Sequence, residues 1–179
     1  MKGKLIVVSG YSGAGKSTLI SGIINNLPGV EYLYTVTTRS RRDSEEESFE
    51  YAFVSDSEYE RRRSSAKLWD NVEYQGFKYG VDIDWVHQKL KSGTNLICAI
   101  APDSQIFNKL KKLYGAEPIS IWIDTNKTIS DSRIESDAIR SSRNETSDLK
   151  RQFQYIFKPD GIKQRDIQRF EEFVANLIG

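Results

Sequence analysis

Gly10-Tyr11-Ser12-Gly13-Ala14-Gly15-Lys16-Ser17-Thr18, set directly behind the apolar run Leu5-Ile6-Val7-Val8, fits the pattern G-x-x-x-x-G-K-[ST] at every fixed position. The order strand, glycine loop, helix is the one that a phosphate-binding loop needs, because glycines let the backbone turn several N–H groups inward around an anion. The following helix adds its positive dipole end and its unpaired donors. Lys16 can reach the outer phosphates, and the Ser17 hydroxyl can ligate a magnesium ion held between them. Average residue usage would produce the bare pattern in roughly one chain per hundred of this length, and its strand and helix context lowers that further. The expected donor-binding residues are Gly10, Ser12, Gly13, Ala14, Gly15, Lys16, Ser17 and Thr18.

Length and charge narrow the rest. A chain of 179 residues is near the common size of one domain and can bury a full core with an inserted subdomain. With 26 basic and 25 acidic residues the net charge is +1, so no overall field draws in nucleic acid or an anionic membrane, and neither is expected as a partner. Attraction for phosphate must therefore be local. The single cysteine, Cys98, excludes an internal disulfide, suits a reducing compartment and lies in an apolar run as a core residue. The longest apolar stretch, Leu96 to Ala101, has six residues and cannot span a membrane, so a cytoplasmic location is expected. Oligomeric state is left open.

Outward from the loop, the chain alternates strand and helix. The pattern predicts a strand over Lys4 to Ser9, a helix over Lys16 to Asn26, and a second strand over Tyr32 to Thr37. Composition then turns abruptly to charge. A short strand at Tyr51 to Val54, a helix over Ser55 to Ser64 capped by Ser55 with Glu58 three residues on, and a hairpin around Gln75 and Gly76 make residues 38–80 a small, largely β insertion. Beyond it come a helix at Asp82 to Lys91, a strand at Asn95 to Ala101, a helix at Asp103 to Tyr114 and a strand at Pro118 to Asp124. Helical sequence broken between Arg133 and Asp137, a short strand near Tyr155 to Phe157, and a final helix with Ile167, Phe170, Val174 and Leu177 on one face complete the chain. This is an α/β fold: a parallel core sheet covered by helices on both faces, α/β/α, with sites at the carboxyl ends of the strands. The core is expected at 1–37 and 81–179 of one domain, with a short lid at about 131–143.

Arg39 and Arg42 follow the expected second strand, where side chains face the same crevice as the loop. Guanidinium forks bind phosphate oxygens two at a time, and Tyr51 and Tyr79 can add neutral hydroxyl donors. A solvated charge cluster, with Arg39 to Arg42 offset by Asp43 to Glu47, explains the same residues equally well. Arg61, Arg62 and Arg63 point to several faces of a helix and read as exposed. His87 reads as a surface residue, and Trp69, Trp85 and Trp122 as packing.

Over nearly its whole length the chain resembles the guanylate kinase family of P-loop nucleoside monophosphate kinases. The resemblance rests on GYSGAGKST, on TTRSRRDSE, on the aromatic step FEYAFV and on KYG. The family spacing T-T-R, two residues, R, two residues, E, five residues, Y is met by Arg39, Arg42, Glu45 and Tyr51. It implies that residues 38–80 bind the acceptor nucleotide, that Arg39, Arg42, Tyr51 and Tyr79 clamp its phosphate, and that Thr35 and Asp70 face its base. It also implies ATP as donor, magnesium as its ion, and Lys16 with the lid arginines Arg133, Arg140 and Arg143 at the transferring group. The chain departs from the family where that pattern has two acids on a strand, here Ala99 and Ala101, and where it has a hydroxyl, here Val81. The expected reaction is phosphoryl transfer from ATP to GMP or dGMP, giving the diphosphate and ADP. A ribose bisphosphate kinase, favoured by Val81 and the missing acids, and a non-catalytic guanylate-kinase-like binding module are the other readings.

A carboxylate at Asp70 can accept from both the N1–H and the exocyclic amine of guanine. With alanines and a valine elsewhere, Asp70→Asn should remove most of the guanine preference, read as the ratio of kcat/KM for GMP over AMP falling toward unity.

Overall fold

The alternation of Leu5, Ile6, Val7 and Val8 decides the architecture, because every one of these side chains is fully buried. Leu5 and Val7 enter one apolar cluster and Ile6 and Val8 another. A strand apolar on both faces needs cover on both faces, which parallel sheets obtain from crossover helices. In the computed structural model, which describes residues 3–11, 13–41, 50–74, 76–100, 104–125 and 150–179, β1 (Leu5–Gly10) is the central strand of a five-stranded sheet.

The order of that sheet is β2-β7-β1-β8-β9, with β2 at Val30–Tyr32, β7 at Asn95–Ala99, β8 at Ile119–Ile123 and β9 at Tyr155–Phe157. All four neighbouring pairs are parallel. Helices α1 (Lys16–Asn26) and α5 (Lys163–Ile178) cover one face, where Leu19, Ile20, Ile23, Phe170 and Val174 are buried against Ile6 and Val8. The other face is covered by α3 (Ile83–Lys91) and α4 (Ser104–Tyr114), which bury Val86, Leu90, Phe107, Leu110 and Leu113 against Leu5, Val7 and Trp122. Each such aliphatic side chain contributes about 1.5 to 3 kcal/mol by leaving water. The result is the expected three-layer α/β/α core.

The second sheet has four strands in the order β4-β3-β6-β5: β3 Thr35–Thr37, β4 Tyr51–Phe53, β5 Leu68–Tyr74 and β6 Phe77–Asp82. Its own small core joins Val36 and Leu68 to Tyr59 of α2 (Asp56–Ser64). Ser55 caps α2 by accepting from the Glu58 N–H at 3.2 Å, as its sequence signals. Asp82 does the same for α3, accepting from the Trp85 N–H at 3.0 Å. Arg61, Arg62 and Arg63 are drawn back onto Glu58 and Glu60 of their own helix. His87 is exposed.

The strand expected over Tyr32 to Thr37 is two strands in two different sheets. Tyr32 packs toward the α1 face of the core sheet and Leu33 toward the opposite one, as ordinary strand alternation requires, so the chain still follows the first sheet at Leu33. The Leu33 N–H still donates to Ile97 beside β2, whereas the Thr35 N–H donates to Glu50 beside β4. The inserted unit, drawn at 38–80 in the sequence, therefore has strands running from Thr35 to Asp82. Strand β7 ends at Ala99, short of Ala101, which lies outside the described residues together with the helical sequence and lid expected after residue 125.

Cys98 sits in the core cluster under α3 and α4 at 4% exposure, and burial pushes its thiol up to about 12. At mildly alkaline pH it remains a protonated thiol, the unreactive form. Native protein should resist iodoacetamide under conditions that alkylate the urea-unfolded chain; rapid alkylation of the native protein, read by mass spectrometry, would contradict this packing.

Candidate active site: a phosphate loop and an arginine platform

Strand β1 delivers the glycine loop at its carboxyl end, where Gly10 pairs with Ile123 of β8. A Cβ on Gly10 would stand 2.6 Å from the Ile123 carbonyl oxygen, and its φ of 149° is also one that side chains disfavour. Only glycine lets the chain leave the sheet here. Gly15, with φ of 85°, is the left-handed N-cap of α1, and no acidic side chain occupies that helix's first turn. The end of the helix therefore keeps its positive character for an incoming anion.

Lys16 closes the loop over itself. Its Nζ donates to the carbonyl oxygens of Gly10 at 2.8 Å and Tyr11 at 2.9 Å, and burial lowers its pKa. An ammonium has three N–H donors, so these two bonds leave one for a phosphate oxygen. An arriving phosphate would restore the solvation that burial removes. Ser17 and Thr18 are exposed on the first turn of α1, Ala14 is buried, and Gly13 and Gly15 are open. Ser12 lies outside the described residues.

Tyr11 was not singled out in the sequence. Its ring meets fully buried Trp122 of β8 edge-on, with centroids 5.6 Å apart, and so ties the loop to the sheet. An aromatic at a variable position of the loop pattern carries no signal until its partner's location is known.

The second sheet departs from the same edge of the core, since β2 leads from its carboxyl end through Leu33 and Tyr34 directly into β3. The Arg39 N–H donates to Thr37 Oγ1 at 3.2 Å, and its Nη1 donates to the Ser40 carbonyl at 2.9 Å. Its guanidinium lies 5.0 Å from the ring centre of Tyr51 and 5.3 Å from that of Phe53. Arg41 stands 5.1 Å from Phe53 as well. Stacking on aromatic faces holds a guanidinium in place. Phe53 and Arg41 are further members of this platform that the sequence reading did not single out. A period-two step from Tyr51 to Phe53 was the available signal, since it puts both rings on one face of β4.

Around this platform, Thr35 pairs with Tyr51 and Thr37 with Tyr79 across the sheet, while Val81 pairs with Trp69. Tyr79, Val81 and Thr35 are half-buried. Asp70 lies on β5, one residue beyond Trp69. Arg42, Glu45, Arg133, Arg140 and Arg143 lie outside the described residues.

A pocket of about 360 Å³ adjoins the loop on its α5 side. One wall is Gly13 to Gly15 with Thr18 and Leu19; the other is Pro159, Asp160 and Gly161 with Asp166. Among the described residues no group of three His, Cys, Asp or Glu side chains could hold a metal ion, and no helix is long and apolar enough to cross a membrane.

Comparison with known proteins adds the lineage. The family model described as "Guanylate kinase" matches residues 2–176. The guanylate kinase of Rubrobacter xylanophilus is 40% identical over 99 residues, 55% of this chain and 52% of that protein. That of Malacoplasma penetrans is 34% identical over 124 residues, 68% of this chain and 62% of that protein. The chain spans about half the length of the curated relatives it matches. A crystal structure of guanylate kinase from Anaplasma phagocytophilum superposes with a TM-score of 0.68 at 21% identity, covering 99% of this chain and 87% of that one, which is a likeness of fold.

Removing the Lys16 ammonium takes away a charge-assisted bond, worth about 1.5 to 3 kcal/mol, from any phosphate on the loop. Lys16→Ala should therefore weaken ATP binding by about ten- to a hundredfold in a calorimetric titration, with the far-UV spectrum unchanged. Near-normal ATP affinity would show that the loop does not hold phosphate through this residue.

Proposed function

Because the chain belongs to the guanylate kinase family, we propose that it transfers the terminal phosphoryl group of ATP to GMP or dGMP, giving the diphosphate and ADP. The observation that carries the reading is the pairing, at one edge of the core sheet, of a lysine-closed phosphate loop with an arginine held on two aromatic rings. One cradles the donor's phosphates and the other anchors the acceptor's. Phosphoryl transfer asks little covalent chemistry of a protein: it needs two anions held in line and their charge neutralised.

In this reading Gly13, Ala14, Gly15, Lys16, Ser17 and Thr18 hold the donor phosphates, and the pocket between the loop and Pro159 to Gly161 takes the donor's nucleoside. Arg39, joined by Arg42, Tyr51 and Tyr79, holds the acceptor phosphate against its own repulsion. Thr35 and Asp70 face the acceptor base, Glu45 is assigned to acceptor binding with them, and Val81 lines the base side without a hydroxyl. Arg133, Arg140 and Arg143 are assigned to the transferring group. No general base is needed, because the attacking oxygen already belongs to a phosphate.

Magnesium fits this site as a substrate-held ion. The Ser17 hydroxyl, exposed at the start of α1, is an oxygen ligand of the kind a hard cation prefers, and magnesium usually keeps several waters beside a few protein or phosphate oxygens. When bound, it supplies charge neutralisation on the donor phosphates. With alanine at position 101, the ion's apparent affinity should follow that of the nucleotide. A cytoplasmic site of action accords with a lone buried thiol in the core.

A coupled ADP-release assay across GMP, dGMP, AMP, UMP, CMP and ribose bisphosphate tests the proposal. GMP or dGMP should be the best acceptor; turnover with ribose bisphosphate alone would overturn the nucleotide reading. In the same assay Arg39→Ala should raise KM for GMP by about ten- to a hundredfold and leave KM for ATP near its parent value. Equal losses for both substrates would mean that Arg39 only supports the fold.

A further inference from the structure

Among the described residues, Asp166 is the one charged side chain in the buried class, 5% exposed at the start of α5. A buried carboxylate is costly unless donors surround it. Its Oδ1 accepts from the Asp160 N–H at 2.8 Å and its Oδ2 from the Gly161 N–H at 2.9 Å. Arg169 Nη1 adds an ion pair to Oδ1 at 3.3 Å and reaches Asp160 Oδ2 at the same distance, while Arg169 Nη2 donates to the Lys158 carbonyl at 3.3 Å. Arg165 pairs with Asp160 from the outer side. All of these bonds except the Arg169–Asp166 pair, which lies within α5, end on the bend between β9 and α5, and Ile162, the N-cap of α5, offers no side-chain cap of its own.

That bend is not only the start of a helix. Pro159, Asp160 and Gly161, together with Asp166 itself, line the pocket opposite the phosphate loop. We propose that Asp166 is a positioning residue of the donor subsite: by gripping two backbone N–H groups of the bend, it fixes the wall against which the nucleoside of a loop-bound triphosphate rests. This rests on the reading of the loop as the donor site. Without the carboxylate, the two backbone N–H groups of the bend lose the acceptor that ties them to α5, and the bend is released from the helix. The phosphate loop and the arginine platform lie outside that network, so the loss should fall on the nucleoside and spare the phosphates and the acceptor.

Calorimetric titration of the full chain with ATP and with inorganic tripolyphosphate separates these parts, using Asp166→Ala and the shape-preserving Asp166→Asn. Both variants should bind ATP about tenfold more weakly, bind tripolyphosphate as the parent does, and keep KM for GMP. A purely structural residue would move ATP and tripolyphosphate together, or neither, and either result overturns the assignment. So does an Asp166→Asn chain that is unfolded at the assay temperature, since Asp166 would then be a folding residue. A parent protein that binds neither ligand removes the donor-site reading and this inference with it; a parent that binds both, beside variants indistinguishable from it, removes this inference alone.

Discussion

The backbone of Gly10 passes so close to the carbonyl of Ile123 that no side chain fits between them, and the rest of the site depends on that contact. It is where β1, sealed between β7 and β8, changes from a buried ladder into a loop whose groups face outward. The loop's geometry is set from both ends: by β1 and β8 before it, and by the left-handed Gly15 that opens α1 after it. Tyr11 against Trp122 and Lys16 across two carbonyls hold what lies between. An anion-binding loop made of N–H groups works only if those groups are already aimed, because electrostatic stabilisation is strongest when nothing must reorganise.

The second sheet solves a different problem. A loop that binds one anion tends to repel another, so the acceptor needs its own cations on a separately folded unit. Val36, Tyr59 and Leu68 give that unit a small core independent of the main one, and the Tyr59 hydroxyl, donating to the Tyr79 carbonyl at 2.7 Å, pins α2 to β6. The unit is also seated on the main core, since Trp69 of β5 and Val81 of β6 pack against the cluster under α3 and α4, and its β4 rings carry Arg39 and Arg41.

Much of this was legible in the residues. The loop pattern, the bounds of α1, the cap at Ser55 and the both-faces burial of Leu5 to Val8 rest on local chemistry, and local chemistry is what a sequence displays. The break after Tyr32 was not, because Tyr32 to Thr37 is apolar enough for one strand; only the ladder partners, Ile97 for Leu33 and Glu50 for Thr35, reveal the chain passing from one sheet to the other. Phe53, Arg41 and Asp166 were missed for a related reason. Each acts through a partner brought up by the fold: a ring under two guanidiniums, or a carboxylate under a bend several residues away. Asp166 in particular looks like any acidic residue in a helix's first turn until its burial is known.

The central claim is that the lysine-closed loop and the arginine platform together move a phosphoryl group between nucleotides. Phosphorus NMR of the protein with ATP, GMP and magnesium tests it most directly, since it follows each phosphate by its own resonance. The account predicts that the γ-phosphate signal of ATP declines as the β-phosphate signals of ADP and GDP grow together, with little inorganic phosphate. Loss of the γ-signal into inorganic phosphate alone, or no change over many hours, would contradict it.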